Sequence, residues 1–460
     1  MLHPHMGEPN KQDKKEIQQK QKKNIFYKRK NYKKAPFSDV HAQLYWALVL
    51  GQIACAYALG IAGSAFNHAK IALGINDTWL GLLGAGSLIG LAGSFIMGRI
   101  SDRFGRKHLL MANMYIYTIL SILQFFTNNL LLLFILRVGI GLMIAIDYTV
   151  GNSILVEWLP TKDGAKKQSN LLLYWSYGFG LSFLASQFIS DWRLMLCSSA
   201  IFGFIAAIYR SVVQIPHSPS WLASHGEHRQ AQKVIQKNLG KKWGLPKKLL
   251  RIRKKSDAST AELFGKKYWK STLTGTAFYA TQAFAFFGIS IFLPILLKNM
   301  HMNDAFLSGL LYNLAIIVGT AIGIWLFNKM SRRSFLIVTF TIPIVCLFIL
   351  ALLPHLPSTL TLLVFTIFSV VLSASLLLDF TYTTELFDLR IRATGVGFVI
   401  MMSRVGAAAG TFLLPIIVNL AGAYVTLIVC AIILLIGTVI CIFTAPETHP
   451  KFAKQKNTNN

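Results

Sequence analysis

The stretch that decides the reading is Gly98-Arg99-Ile100-Ser101-Asp102-Arg103-Phe104-Gly105-Arg106-Lys107. It joins two apolar stretches, Trp79 to Met97 and Leu109 to Thr127. Its glycines allow a tight turn and close approach of the flanking helices, and one carboxylate, Asp102, stands among four cations. Such a carboxylate can meet guanidinium groups or a helix N-terminus in one conformation and release them in another. The plainer alternative, that the four cations only mark a membrane side, leaves Asp102 unexplained.

Outward from this loop the hydrophobic stretches recur with short polar breaks. Leu44 to Phe66, Trp79 to Met97, Leu109 to Thr127, Leu130 to Val156, Leu171 to Ile189 and Leu194 to Val213 form a first set of six. After a long polar stretch, Gln214 to Lys270, come Ser271 to Leu297, Ala305 to Phe327, Phe335 to Leu353, Leu360 to Phe387, Thr394 to Leu420 and Ala423 to Thr444. Of 460 residues, 54% are hydrophobic and 14% charged, with mean hydropathy +0.51, whereas soluble domains run near a quarter charged. Twelve spans of about 20 residues consume nearly the whole apolar content. The composition excludes a soluble enzyme and predicts an all-α membrane protein.

The net charge of +28 would suggest nucleic acid in a soluble protein. With the N-terminus inside, however, nearly all 46 Lys and Arg fall on the inner side, the largest group running from Arg210 to Lys270. Only Lys70, Arg193 and Lys298 fall outside, and Arg137 and Arg404 lie within stretches. This is the positive-inside pattern, so no nucleic-acid partner is expected and both termini are expected in the cytosol. The segment ahead of the first stretch holds eleven cations, from Lys11 to Lys34, and no apolar core of a signal peptide. It reads either as a disordered polybasic tail touching anionic headgroups or as a solvated tail that only fixes topology. Five single cysteines, Cys55, Cys197, Cys346, Cys430 and Cys441, read as small buried hydrophobes.

The halves repeat at one constant offset: Glu157 maps on Glu385, Lys162 on Arg390, Ala165 on Ala393 and Gly178 on Gly406. The expected organisation is a basic tail (1–43), a six-helix bundle (44–213), a cytosolic loop (214–270), a second bundle (271–445) and a C-terminal tail (446–460). Parallel six-helix repeats build one large class of secondary carriers.

The loop quoted first resembles the G-x-x-x-D-R-x-G-R-[RK] signature of the major facilitator superfamily. Arg137-Val138-Gly139-Ile140-Gly141, Glu157-Trp158-Leu159-Pro160, Pro216-His217-Ser218-Pro219-Ser220-Trp221-Leu222 and Pro446-Glu447-Thr448 resemble sugar-porter motifs. His217 and Ser220 replace the usual acid and base, and the second-half loop, Asn328 to Arg333, lacks its Asp. Asp147-Tyr148 resembles a segment of metabolite symporters. Thr384-Glu385-Leu386-Phe387 with Ser403-Arg404-Val405-Gly406 is similar to organic-ion and synaptic-vesicle-protein-like carriers. The resemblance implies twelve transmembrane helices in two pseudo-symmetric bundles rocking about a midplane site lined by helices 1, 4, 7 and 10.

Asp147 lies about 15 Å above the inner end of its helix at 1.5 Å per residue, where a charge costs about 3 kcal/mol. It suits a proton carrier or a ligand for a cationic or hydroxylated substrate; the alternative is a structural pair with Arg137 or Arg404. Arg404, equally deep, can bind an anion or hold an acid ionised. Asp379, about 9 Å from the inner surface, fits an inner gate. Glu157 and Glu385 read as gate ion pairs beside Asp102, Arg103, Arg106, Arg390 and Arg392, with substrate contact as the alternative, and Arg137 joins that gate set. Tyr279 and Gln282 share a helix face; with Gln52, Tyr148, Asn152 and Trp175 they suit either a hydroxylated substrate or interhelical packing. Gly86, Gly90, Ser94 and Gly98 form a ridge for close helix packing.

No catalytic triad, phosphate-binding glycine loop or metal cluster appears, so neither an enzyme nor an ATP-driven pump is expected. The expected function is proton-coupled uptake of a small polar metabolite, a sugar or a small organic anion, with no cofactor beyond the proton, by a monomer in the cell membrane. Efflux of an organic ion or drug, or a non-transporting sensor on a carrier scaffold, are the alternatives; lack of a Gly-Pro pair in Tyr174 to Gly180 counts against drug antiport, and the retained acids Asp102, Glu157 and Glu385 count against a sensor.

Overall fold

The computed structural model describes residues 29–161, 164–246, 260–300, 304–379, 381–388 and 391–448. Among them, nine helices are long and apolar enough to cross a membrane. Spans 1 to 4 are Asp39–Leu73, Asp77–Gly98, Arg106–Phe126 and Leu130–Trp158. Span 5 is the helix Gly164–Phe188 and span 6 is Trp192–Val213. Span 7 is a pair bent by 73°, Trp269–Ile291 and Leu293–Asn299. Spans 8 to 10 are Phe306–Phe327, Arg332–Leu352 and Ser358–Glu385. The continuous helical stretch Thr394–Thr444 is about twice the length one crossing needs. Gly422, at φ 85° and ψ 170°, turns it, a conformation side chains rarely tolerate, so it forms spans 11 and 12. The first-half loop turns the same way: Gly105 at φ 94° ends Ser94–Phe104 and starts Arg106–Leu123.

The repeat is visible in close helix approaches. A Cβ on Gly178 of span 5 would strike the Ile53 backbone of span 1, and one on Gly406 of span 11 would strike Ala280 of span 7. Spans 4 and 10 also leave regular α geometry at equivalent levels: a π segment at Asp147–Gly151 and a 3-10 segment at Leu376–Asp379. The expected ridge holds at Gly86, which abuts Arg137, and at Gly90, which abuts Val138 and Gly141 of span 4. Ser94 spends its hydroxyl on the Leu91 carbonyl. Gly98 faces open space and leaves the ridge, because the helix breaks at Gly93 and restarts.

The face holding residues 29–38, the long connection and residues 445–448 is termed the basic face, and the other the far face. On the far face the halves touch: Gly63 of span 1 lies against the Ile291 carbonyl of span 7, Gly81 of span 2 against Phe412 of span 11, and Asn419 donates to Asp77, which also pairs with Lys70 at 2.5 Å.

The expected unstructured tail is corrected for residues 29–38; those before 29 lie outside the described set. Strand β1 (Lys30–Asn31) pairs in parallel with β2 (Trp243–Gly244) of the connection. Tyr32 is buried edge-on against Trp158, Lys33 Nζ donates to the Val156 carbonyl, and the Thr161 N–H donates to the Lys33 carbonyl. Span 1 therefore starts at Asp39 rather than at residue 44. The connection carries short helices Pro219–Ser224 and His228–Leu239, whose Leu222, Ala223, Ala231 and Ile235 close over Tyr32. An apolar residue placed among cations gave this segment something to bury.

Candidate functional site

Asp147 does not pair with Arg137 or Arg404. Its Oδ1 sits 2.5 Å from Arg210 Nη2, with both side chains fully buried, and accepts from Asn113 Nδ2 at 3.2 Å. Each of the five N–H groups of Arg210 is used: Nε and Nη2 on Ala47 O, Nη1 on Leu110 O and Asn113 Oδ1, Nη2 also on Asp147. Gly51 leaves the space, since a Cβ there would collide with both partners. The pair ties spans 1, 3, 4 and 6. Arg210, assigned from sequence to the basic connection, is corrected to an interior residue of span 6. Its place inside the stretch ending at Val213 was the available signal.

Arg137 is also interior. Nη1 and Nη2 donate to Ala58 O at 3.2 and 3.1 Å, and the guanidinium lies 5.9 Å from the Phe66 ring centre. It fastens span 4 to span 1, which is not the contact expected of an inner gate.

The halves meet at mid-depth around Arg404 of span 11. Its Nη2 donates to Tyr279 Oη at 3.1 Å, and its guanidinium carbon lies 5.6, 5.7 and 5.9 Å from the ring centres of Tyr279, Tyr148 and Phe287. Tyr148 and Trp175 come from the first half, and Trp175 Nε1 donates to Tyr148 Oη at 2.5 Å. Trp175 stacks on Phe179 and meets Phe286 and Phe287 of span 7. Aromatic faces attract a guanidinium by about 0.5–2 kcal/mol but leave its charge uncancelled. Among the described residues Arg404 makes no ion pair, and its Nε has no hydrogen-bond partner.

Asp379 belongs to this cluster rather than to an inner gate. It is 6% exposed, interacts with Tyr279 and Arg404, and its Oδ1 has no partner. The 3-10 break in span 10 makes a depth counted at α-helical rise misleading here. Gln282 Nε2 donates to Ser375 Oγ of span 10 at 2.6 Å, leaving its Oε1 unpaired. Gln52 is buried on span 1, and Asn152 spends its amide on the Tyr148 carbonyl.

On the basic face each half closes a clasp of the same design. Glu157 takes Arg106 and Ser218; Glu385 takes Arg332 at 3.3 Å and Thr448 at 2.5 Å. The described second-half partner is thus Arg332, with Arg390 outside the described residues. The expected roles of Asp102, Arg103 and Arg392 rest on side chains that also lie outside the described set.

Two repeated six-span bundles, clasped alike on one face and meeting at mid-depth over aromatic and charged groups, define a multi-pass membrane carrier of the major facilitator type, not an enzyme. The profile described as "Sugar (and other) transporter" matches residues 15–458, and the chain belongs to that family. It is 32% identical over 420 residues to the inner membrane metabolite transport protein YgcS of Escherichia coli, covering 90% of this chain and 93% of that one. With the human organic cation/carnitine transporter 2 it shares 28% identity over 348 residues, 73% of this chain and 60% of that one. The solved inward-open structure of the E. coli xylose transporter XylE superposes with a TM-score of 0.74 at 15% identity, covering 91% and 99% of the two chains, a likeness of fold. The chain is a sugar or metabolite transporter of this superfamily.

Proposed function

We propose that the transported metabolite is a small organic anion, carried together with a proton across the cytoplasmic membrane, with the basic face in the cytosol. The observation that carries this reading is Arg404, 6% exposed where the halves meet and without a counter-charge within ion-pair distance among the described residues. A buried cation in the bilayer is costly, and a carboxylate on its planar fork offsets that cost by charge-assisted hydrogen bonds. A cationic substrate would face repulsion at the same place. Gln282 Oε1 and the Tyr148 and Tyr279 hydroxyls suit hydroxyl groups on the same molecule.

Asp379 replaces Asp147 as the proton carrier in this reading. Asp147 is committed to its pair with Arg210, whereas Asp379 shares Tyr279 with Arg404 and has no ion pair among the described residues. With the site empty, the ion-pair position beside Arg404 is unfilled among the described residues, and Asp379 acts on it only from a greater distance. An arriving carboxylate takes that place, and Asp379 binds a proton, so anion and proton cross together without net charge. The positive-inside asymmetry supports the orientation.

The test is flux into proteoliposomes of labelled lactate, gluconate, nicotinate and xylose, with an imposed pH gradient. Carboxylates should accumulate under an acid-outside gradient, independent of membrane potential. Asp379→Asn should abolish gradient-driven accumulation while keeping anion exchange. Saturable xylose uptake that no carboxylate inhibits would overturn the anion reading.

A further inference from the structure

The two clasps are completed by the same kind of short phrase, one in each half, Pro216-His217-Ser218 and Pro446-Glu447-Thr448. In both, the third residue gives its hydroxyl to the acid ending span 4 or span 10. The middle residue differs. Glu447 accepts from the backbone N–H groups of Arg332 and Arg333 at 3.0 and 3.2 Å, so a carboxylate caps the positive end of Arg332–Leu352. His217 stands at the matching start of Arg106–Leu123, where the N-cap residue is Gly105. Its ring meets His108 edge-on at 5.7 Å. The charged groups facing it are Lys107 and His108 from that helix and Glu227 from the start of His228–Leu239. Burial first, then Lys107 and His108, hold the imidazole below its ordinary pKa, against a smaller pull from Glu227.

We propose that His217 makes the first-half clasp a pH-sensitive joint, docked while the imidazole is neutral and released when it is protonated, while the carboxylate at Glu447 keeps the second-half clasp shut over the same range. An imidazolium would add positive charge to a helix end that already carries Arg106 and Lys107, and the loop moves away to regain water. The undocked loop takes up a proton at about pH 6.5, the docked one only at lower pH. The docked state is therefore unaffected above about pH 6.5 and loses stability progressively below it. Ser218 follows His217 directly, so release also removes its hydroxyl from Glu157. Acidification on this face thus loosens one half of the carrier and leaves the other clasped.

The test is amide hydrogen exchange on the full-length protein in detergent between pH 7.5 and 5.5, corrected for intrinsic rates. The second half serves as the internal reference. Protection of the Trp221 and Leu222 amides, which bond to Ser218, is divided by that of Arg332 and Arg333. In the wild type this ratio should fall on the order of tenfold per unit of pKa separation as the pH is lowered. It should stay level in His217→Gln and in His217→Glu, the latter recreating the second-half arrangement. A level ratio in the wild type overturns the proposal, as does an undiminished fall in either variant. The readout needs no substrate, so it stands or falls apart from the anion reading.

Discussion

Arg210 and Arg404 are two buried arginines in two copies of one bundle, and they are treated in opposite ways. Arg210, fully buried, has every N–H satisfied and a carboxylate at 2.5 Å. Arg404, 6% exposed, has three aromatic faces, one donated hydrogen bond and no ion pair among the described residues. Equal burial therefore does not mean equal purpose. The first holds four spans together; on the anion reading proposed above, the second is the group that meets the substrate. The two halves are similar scaffolds, and the two arginines differ in having or lacking a carboxylate at ion-pair distance among the described residues.

The largest expected effect breaks the Arg210 side. Arg210→Ala leaves buried Asp147 without its counter-charge, with only the Asn113 amide bonded to it, which costs about 3–5 kcal/mol. The variant should lose most of its thermal stability in detergent, measured by intrinsic fluorescence on heating. Arg404→Lys should instead weaken carboxylate binding about tenfold, since an ammonium lacks the planar fork, while melting stays near wild type. If both variants melt alike, the contrast fails and Arg404 is structural. The smallest effect sharpens the comparison at the basic face. Ser218→Ala and Thr448→Val each remove one hydroxyl from a partly exposed acid, costing about 1 kcal/mol. Each should raise accessibility of an engineered cysteine only in its own half; crossed effects would mean that the clasps are coupled.

The architecture was legible because spans announce themselves through length and apolarity, and the repeat through Glu157 and Glu385. The mid-depth site was half legible. Asp147 and Arg404 stood out as charges in apolar stretches, and the structure brings Tyr279, Tyr148 and Trp175 together near Arg404. Their pairings were not legible, because contacts between helices carry no spacing in sequence. Arg210 sits three residues from the end of its stretch, yet its long side chain reaches Asp147 inside the bundle. Asp379 was placed by counting along a regular helix, and the 3-10 segment at Leu376–Asp379 breaks that count. Tyr32 was hidden among cations that dominate any charge-based reading of the tail.

The small sheet between Lys30–Asn31 and Trp243–Gly244 also sets an order of events during synthesis. Its strands flank the first bundle in the chain, with all of the first six spans between them. At about 5–20 residues per second on the ribosome, the first strand waits on the order of ten seconds or more before its partner exists. The leading segment thus stays undocked while the first bundle enters the bilayer, and its pairing marks the moment at which that bundle is complete and the second has yet to begin.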